Sequence, residues 1–310
     1  ESVSAYGGED LNPPQYGRVF IAAKPRNGNF LPDSTKTSIL KSLKSYSIAG
    51  IVPSIVDLKF LYIELDSYVY YNTNFIGAPD NLKADVIKSV SEFGKQGDLN
   101  KFGGRFKYSK LLSVLDSVDD AITSNITNIL IRRNLKSLIN VFTQYELCFD
   151  NQFYHELDSY NIKSTGFSVS GVDGTVYMAD KVVPDSDIGN LFLFKLTDDV
   201  DVEIVSTNFG TVDYTKGEII INTVNITSTL LPENIIEIQA VPLSNDVLGR
   251  KELYLQLSSD KSNFTMRQDL ISSGANLSGT RFDVQSSYSN GNKVRDAIVS
   301  SSSTGELVGY

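Results

Sequence analysis

Few side chains in this sequence are suited to proton transfer or nucleophilic attack. The one histidine, His155, sits in Phe153-Tyr154-His155-Glu156-Leu157, with no nucleophile-elbow pattern anywhere in the chain. Its reading is a surface or half-buried structural histidine. The one cysteine, Cys148, lies in Tyr145-Glu146-Leu147-Cys148-Phe149, which reads as a buried, inert thiol. One Cys and one His cannot make a four-ligand zinc site of the usual kind, and an internal disulfide needs a second cysteine. Asp185-Ser186-Asp187 and Asp198-Asp199-Val200-Asp201 crowd carboxylates, but neither follows the calcium-loop spacing, so they read as solvated loop acids. Phosphate-binding glycine loops are missing from the sequence. No pair of carboxylates stands out for glycoside hydrolysis, and the chain has no Trp to stack on a sugar. The expectation is a protein without catalytic residues, cofactor or metal.

Two stretches point to binding instead. Lys101-Phe102-Gly103-Gly104-Arg105-Phe106-Lys107-Tyr108 mixes basic and aromatic residues, faintly in the manner of an RNA-recognition strand. Its spacing is off, and it reads better as a loop entering a helix capped by Ser109. The run Asp57–Tyr71 alternates as a strand would, and at ~3.3 Å per residue it would reach roughly 50 Å. Its even-numbered face carries Phe60, Tyr62, Tyr68 and Tyr70, aromatics of the kind enriched at interfaces, and these are the candidate interface residues. The competing reading bends the strand near Asp66-Ser67 and turns the aromatics onto the chain's own neighbouring domain.

The elements around these stretches fall into two patterns. A turn-rich loop over 1–14 precedes a short strand at Val19–Ala23. Helices follow over Ser34–Ser47, from Asn81 (as cap) to Gly94, and after Ser109; the long strand and a strand at Asn125–Arg132 complete the set. The order β-α-β-α-α-β predicts a helix-covered, ferredoxin-like sheet domain over 15–134. From 135 to 258 the runs Leu138–Phe149, Gly166–Ser170, Val176–Val183, Leu191–Leu196, Val200–Val205, Glu218–Val224, Ile235–Val241 and Leu253–Leu257 predict an antiparallel β-rich sandwich or barrel. Thr215-Lys216-Gly217-Glu218 marks a tight hairpin. Residues 259–310 are rich in Ser, Asn and Gly and read as a polar extended arm. The fold class is therefore α+β.

Length and charge narrow the partners. The 310 residues suffice for two domains, and 41% hydrophobic content supplies a core. A net charge of −9 disfavours nucleic acid and anionic membranes as partners. No run reaches the ~18 apolar residues of a spanning helix. The sequons at Asn125, Asn225, Asn263 and Asn276 read as chance, and a chain opening at Glu1 reads as a fragment of something longer.

Tyr6-Gly7-Gly8-Glu9-Asp10, followed by Asn12-Pro13-Pro14-Gln15-Tyr16-Gly17-Arg18-Val19-Phe20-Ile21, closely resembles the C-terminal half of the baseplate wedge protein of T4-like contractile-tailed phages. It resembles the wider J-like baseplate group more loosely. Phe106-Lys107-Tyr108-Ser109-Lys110-Leu111-Leu112 is similar to that family's helix entry, and Gly210-Thr211-Val212-Asp213-Tyr214-Thr215-Lys216-Gly217-Glu218-Ile219 to a hairpin common in tail proteins. The resemblance implies a non-enzymatic virion protein of the tail baseplate, assembled in the host cytoplasm. It implies a homodimer that contacts other wedge subunits and links wedges into a ring around the hub. A carbohydrate-binding or glycoside-hydrolysing tail module is the alternative.

Overall fold

The computed structural model describes residues 2–269 apart from 11–13, 27, 29, 47–49, 73–78, 96–97, 158, 198–200 and 251–252. Part of the opening loop, Asp198 and Asp199, Asn276 and the arm beyond 269 thus lie outside the described residues.

The chain begins with β1 (Ser2–Gly7), a 3-10 turn, β2 (Arg18–Lys24), α1 (Asp33–Tyr46) and β3 (Val52–Val56). These strands form a three-stranded sheet with β2 in the middle, antiparallel to β1 and parallel to β3. A parallel pair needs a crossover, and α1 supplies it. Gly8 explains the opening motif: the Gln15 N–H donates to the Gly8 carbonyl at 2.7 Å, and a Cβ on Gly8 would stand 2.0 Å from the Gln15 carbonyl oxygen. Tyr6 stacks on Phe20 at 5.7 Å, and Phe20 and Ala22 are buried.

Next come β4 (Lys59–Tyr71), α2 (Pro79–Gly94), β5 (Lys101–Phe102), β6 (Arg105–Phe106), α3 (Tyr108–Asp116) and β7 (Ile122–Lys136). Because β2 pairs with β1 and β3 while β4 pairs with β7, the alternation expected over 15–134 is divided between two sheets. Proline starts α2 at Pro79, where its missing N–H costs nothing, so Asn81 lies inside the first turn instead of capping it. α3 likewise begins one residue before Ser109. Lys107 is its N-cap without a side-chain bond, and Asp246 accepts the Tyr108 N–H at 2.8 Å.

The remaining strands are β8 (Phe142–Cys148), β9 (Lys163–Ser164), β10 (Phe167–Val169), β11 (Tyr177–Val182), β12 (Ile188–Thr197), β13 (Asp201–Asp213), β14 (Glu218–Thr229), β15 (Ile235–Ala240), β16 (Val247–Leu248), β17 (Leu253–Leu257) and β18 (Asn263–Gln268). Each β-rich run read from the sequence contains or overlaps a strand here, although Leu138–Phe149 becomes strand only from Phe142. The β13–β14 hairpin turns at Gly217, whose φ of 68° is open to glycine and whose Cβ would meet the Asn151 carbonyl oxygen at 1.9 Å.

One sheet of thirteen strands runs β10-β14-β13-β12-β11-β9-β15-β7-β4-β17-β5, with β8 on β14 and β18 on β4. It crosses the expected boundary at 134/135 inside β7, which pairs with β4 on one edge and β15 on the other. The expectation of antiparallel pairing over 135–258 fails at β17, which runs parallel to β4, as does β18 beyond that range. Nor does the arm begin at 259. Asn263-Phe264-Thr265-Met266-Arg267-Gln268 alternates polar and apolar, Phe264 is buried, and the segment completes the sheet. β17 covers β4 up to Ile63 and β18 from Asp66; between them the Leu65 N–H donates to Ser262 Oγ at 3.0 Å.

Candidate interaction surface

β4 shows two unlike faces. Leu61, Ile63, Leu65 and Val69 are buried in one core with Leu82, Val86, Val90 and Phe93 of α2 and Leu111 and Leu115 of α3. The opposite face carries Phe60, Tyr62, Glu64, Asp66, Tyr68 and Tyr70. β4 stays in register with β7 from Tyr62 to Tyr70, so its pairing runs unbroken through Asp66-Ser67.

Phe60 is spent on internal packing: it is buried, stacks with Tyr62 at 5.4 Å and meets Tyr254 edge-on at 5.6 Å. Tyr62 lies under the Arg132 guanidinium, 4.2 Å from its ring centroid, and burial raises its phenol above the ordinary tyrosine range. Arg132 pairs with Glu64 and, at 2.8 Å, with Glu237; Gln239 also donates to Glu64, Asn134 accepts from Arg132, and Lys261 pairs with Glu237. Two carboxylates thus meet two cations in the middle of the sheet. Removing Arg132 or Glu64, the two buried members, costs about 3–5 kcal/mol, because the partner charge is left dry.

Beyond Asp66 this face opens. Tyr68 and Tyr70 are half-buried, and Tyr68 stands directly across from Ile126, which is 55% exposed. Arg267 lies 4.2 Å over the Tyr68 ring. The four aromatics therefore divide: Phe60 and Tyr62 hold the sheet from within, and Tyr68 and Tyr70 offer surface.

The groups weighed for catalysis are placed structurally. His155 stacks on Tyr214 at 4.8 Å and lies 3.7 Å from Asp187, beside a cleft of about 390 Å³ that Asp185 also lines. Tyr214 donates to Asp180 at 2.7 Å, and burial together with that carboxylate holds its phenol far above the usual range. Asp180, fully buried, also accepts the Asn161 and Ile162 N–H groups at 2.8 and 2.7 Å. That carboxylate ties β11 to the chain before β9. Cys148 is half-buried, not buried, with Sγ 3.5 Å from Glu146 and 3.6 Å from Glu218. Burial first, then these two carboxylates, push its thiol up to about 12, so it is protonated at neutral pH. In the Lys101–Tyr108 stretch the strands are short: β5 pairs with β17 and β6 with β16, and Phe106 is buried in the core. Among the described residues no helix is long and apolar enough to cross a membrane.

Residues 1–56 match the family model described as baseplate structural protein gp6, C-terminal domain I, and residues 59–134 match C-terminal domain III of the same protein. These blocks are the three-stranded sheet unit and the β4-to-β7 unit. Over 122 residues the chain is 29% identical to the baseplate wedge protein gp6 of Enterobacteria phage T4, a match covering 39% of this chain and 18% of that relative. Over its first 134 residues the chain is thus similar, by two adjacent matches, to the C-terminal part of the gp6 baseplate wedge proteins, and it spans far less than two thirds of the length of the relative it matches.

Proposed function

We propose that this chain is a structural, non-enzymatic part of a contractile-tail baseplate, carried in the virion after assembly in the host cytoplasm. In this reading it forms a homodimer, contacts other wedge subunits, and helps link wedges into a ring around the hub. The carrying observation is the pair of adjacent matches to baseplate domains. The layer of β4, β7, β15 and β17 under α2 and α3 is read as the ferredoxin-like platform for the contact. A twofold contact closes on itself, while a second contact propagates a ring, so rigid sheets with self-complementary faces suit the role.

The self-association is assigned to Tyr68, Tyr70 and Ile126, aromatic and aliphatic groups on a sheet braced from behind by its core. Sedimentation velocity over a dilution series tests it. A dimer is expected at about tens of micromolar, where even modest interfaces of this kind persist. Tyr68→Asp with Ile126→Asp should yield a folded monomer; a wild-type chain that is strictly monomeric would remove the homodimer.

A further inference from the structure

β12 and β13 form a hairpin whose outer half projects past its neighbours. β13 pairs with β14 over Gly210–Asp213, and past Asn208 the two separate as β14 turns to β8 and β10. Residues 201–206 therefore pair with β12 on one edge. Among the described residues no strand lies on their other edge, and all are exposed or half-buried.

One face of this projection is apolar. Phe194 stands across from Ile204, Leu196 across from Val202, and Tyr177 stacks on Phe194 at 5.7 Å. With Tyr160 they line a groove of about 390 Å³. Tyr160, Val202 and Ile204 are 57%, 59% and 57% exposed, although each is a side chain that water disfavours. An unpaired edge beside an exposed apolar row is a template for another strand, and folded proteins usually cover or blunt it. The β13 edge itself is acidic: Asp201 and Glu203 alternate with Val202 and Ile204, with Lys195 across from Glu203 on β12 and Lys163 at the groove beside β11.

We propose that the free edge of β13 is a docking site for an extended segment of a different protein, added as a strand. Its apolar residues would lie at alternate positions in the groove, and Lys or Arg between them would face the acids. Charge decides against a second copy as occupant, since pairing two β13 edges would bring Asp201 and Glu203 of one copy against the same acids of the other. The site is independent of the self-association reading: β12, β11, β9, β15 and β7 separate it from β4 in the sheet.

The probe is a capped peptide alternating Lys with Val and Ile, its control the same peptide with Glu for Lys. Fluorescence anisotropy on the full chain should show the lysine peptide binding at least about tenfold tighter, and less tightly as salt rises. Hydrogen exchange should slow at amides 201–207 in the bound state, which groove binding without strand addition would not produce. Val202→Ser with Ile204→Ser, at exposed positions, should weaken binding about tenfold without altering the far-UV spectrum. Asp201→Lys with Glu203→Lys should reverse the peptide preference. Equal affinity for both peptides, no binding up to about 1 mM, or unchanged exchange at 201–207 would each overturn the proposal. A dimer converted to monomer by Val202→Ser with Ile204→Ser would overturn it too, by making a second copy the occupant.

Discussion

α1 and α2 carry apolar residues at the same helical spacing, yet α2 buries Leu82, Val86, Val90 and Phe93 whereas α1 buries none. Ile39 and Tyr46 of α1 are exposed, and Leu40 and Leu43 are only half-covered against β3. The difference lies in what each helix lands on. α2 meets α3 and a thirteen-stranded sheet whose facing side chains are Leu, Ile and Val. α1 meets a three-stranded sheet near the lower limit for independent stability. Periodicity in a sequence therefore states that a helix face seeks cover; it does not state whether the same chain supplies it.

The sharpest way to break this contrast is a charge on each helix. Val86→Asp places a carboxylate where no water reaches, and the loss should exceed about 4 kcal/mol, enough to unfold the layer of α2, α3 and β4. Leu43→Asp on α1 should cost less than about 1 kcal/mol, since its charge remains hydrated. Urea midpoints followed by circular dichroism measure both, and equal losses would erase the distinction. A milder pair sharpens it. Leu115→Ala opens a cavity under α3 and should cost about 2–5 kcal/mol, while Leu40→Ala should cost about 1 kcal/mol or less.

The sequence made local structure legible and long-range pairing not. The eight β-rich runs after 135 carry their own alternation and turn residues, so each was readable, as was Gly217 in its hairpin. The partner of β2 was not, because nothing in Val19–Ala23 distinguishes a neighbour at 52–56 from one at 59–71. Asn263–Gln268 had a readable period of two, hidden by the polar composition that surrounds it. Of the interface candidates, the type of residue was legible and its availability was not. Phe60 and Tyr70 look alike in an alternating strand, but Tyr254, from a strand almost two hundred positions later, closes over only the first. The projecting edge of β13 is not legible in the sequence, for a related reason. Val200–Val205 reads as an ordinary strand, and only the divergence of β14 after Asn222 leaves it half-paired.

The smallest expected effect separates the helices at their first turns. α1 opens on its own Asp33, and Thr37 Oγ1 closes back on the Asp33 carbonyl at 2.9 Å, so its start is locally encoded. α3 borrows its carboxylate from Asp246, which β16 holds in place by pairing Val247 and Leu248 with Phe106 and Arg105 of β6. Because a carboxylate near a helix N-terminus both accepts an orphan N–H and meets the positive end of the dipole, Asp246→Ala should cost about 0.5–2 kcal/mol. Asp246→Asn should recover most of that loss through its amide oxygen, and Ser109→Ala should be nearly silent. The ordering of these three urea midpoints is the readout. A larger effect at Ser109 than at Asp246 would place the cap within the helix's own sequence and make α3 as locally written as α1.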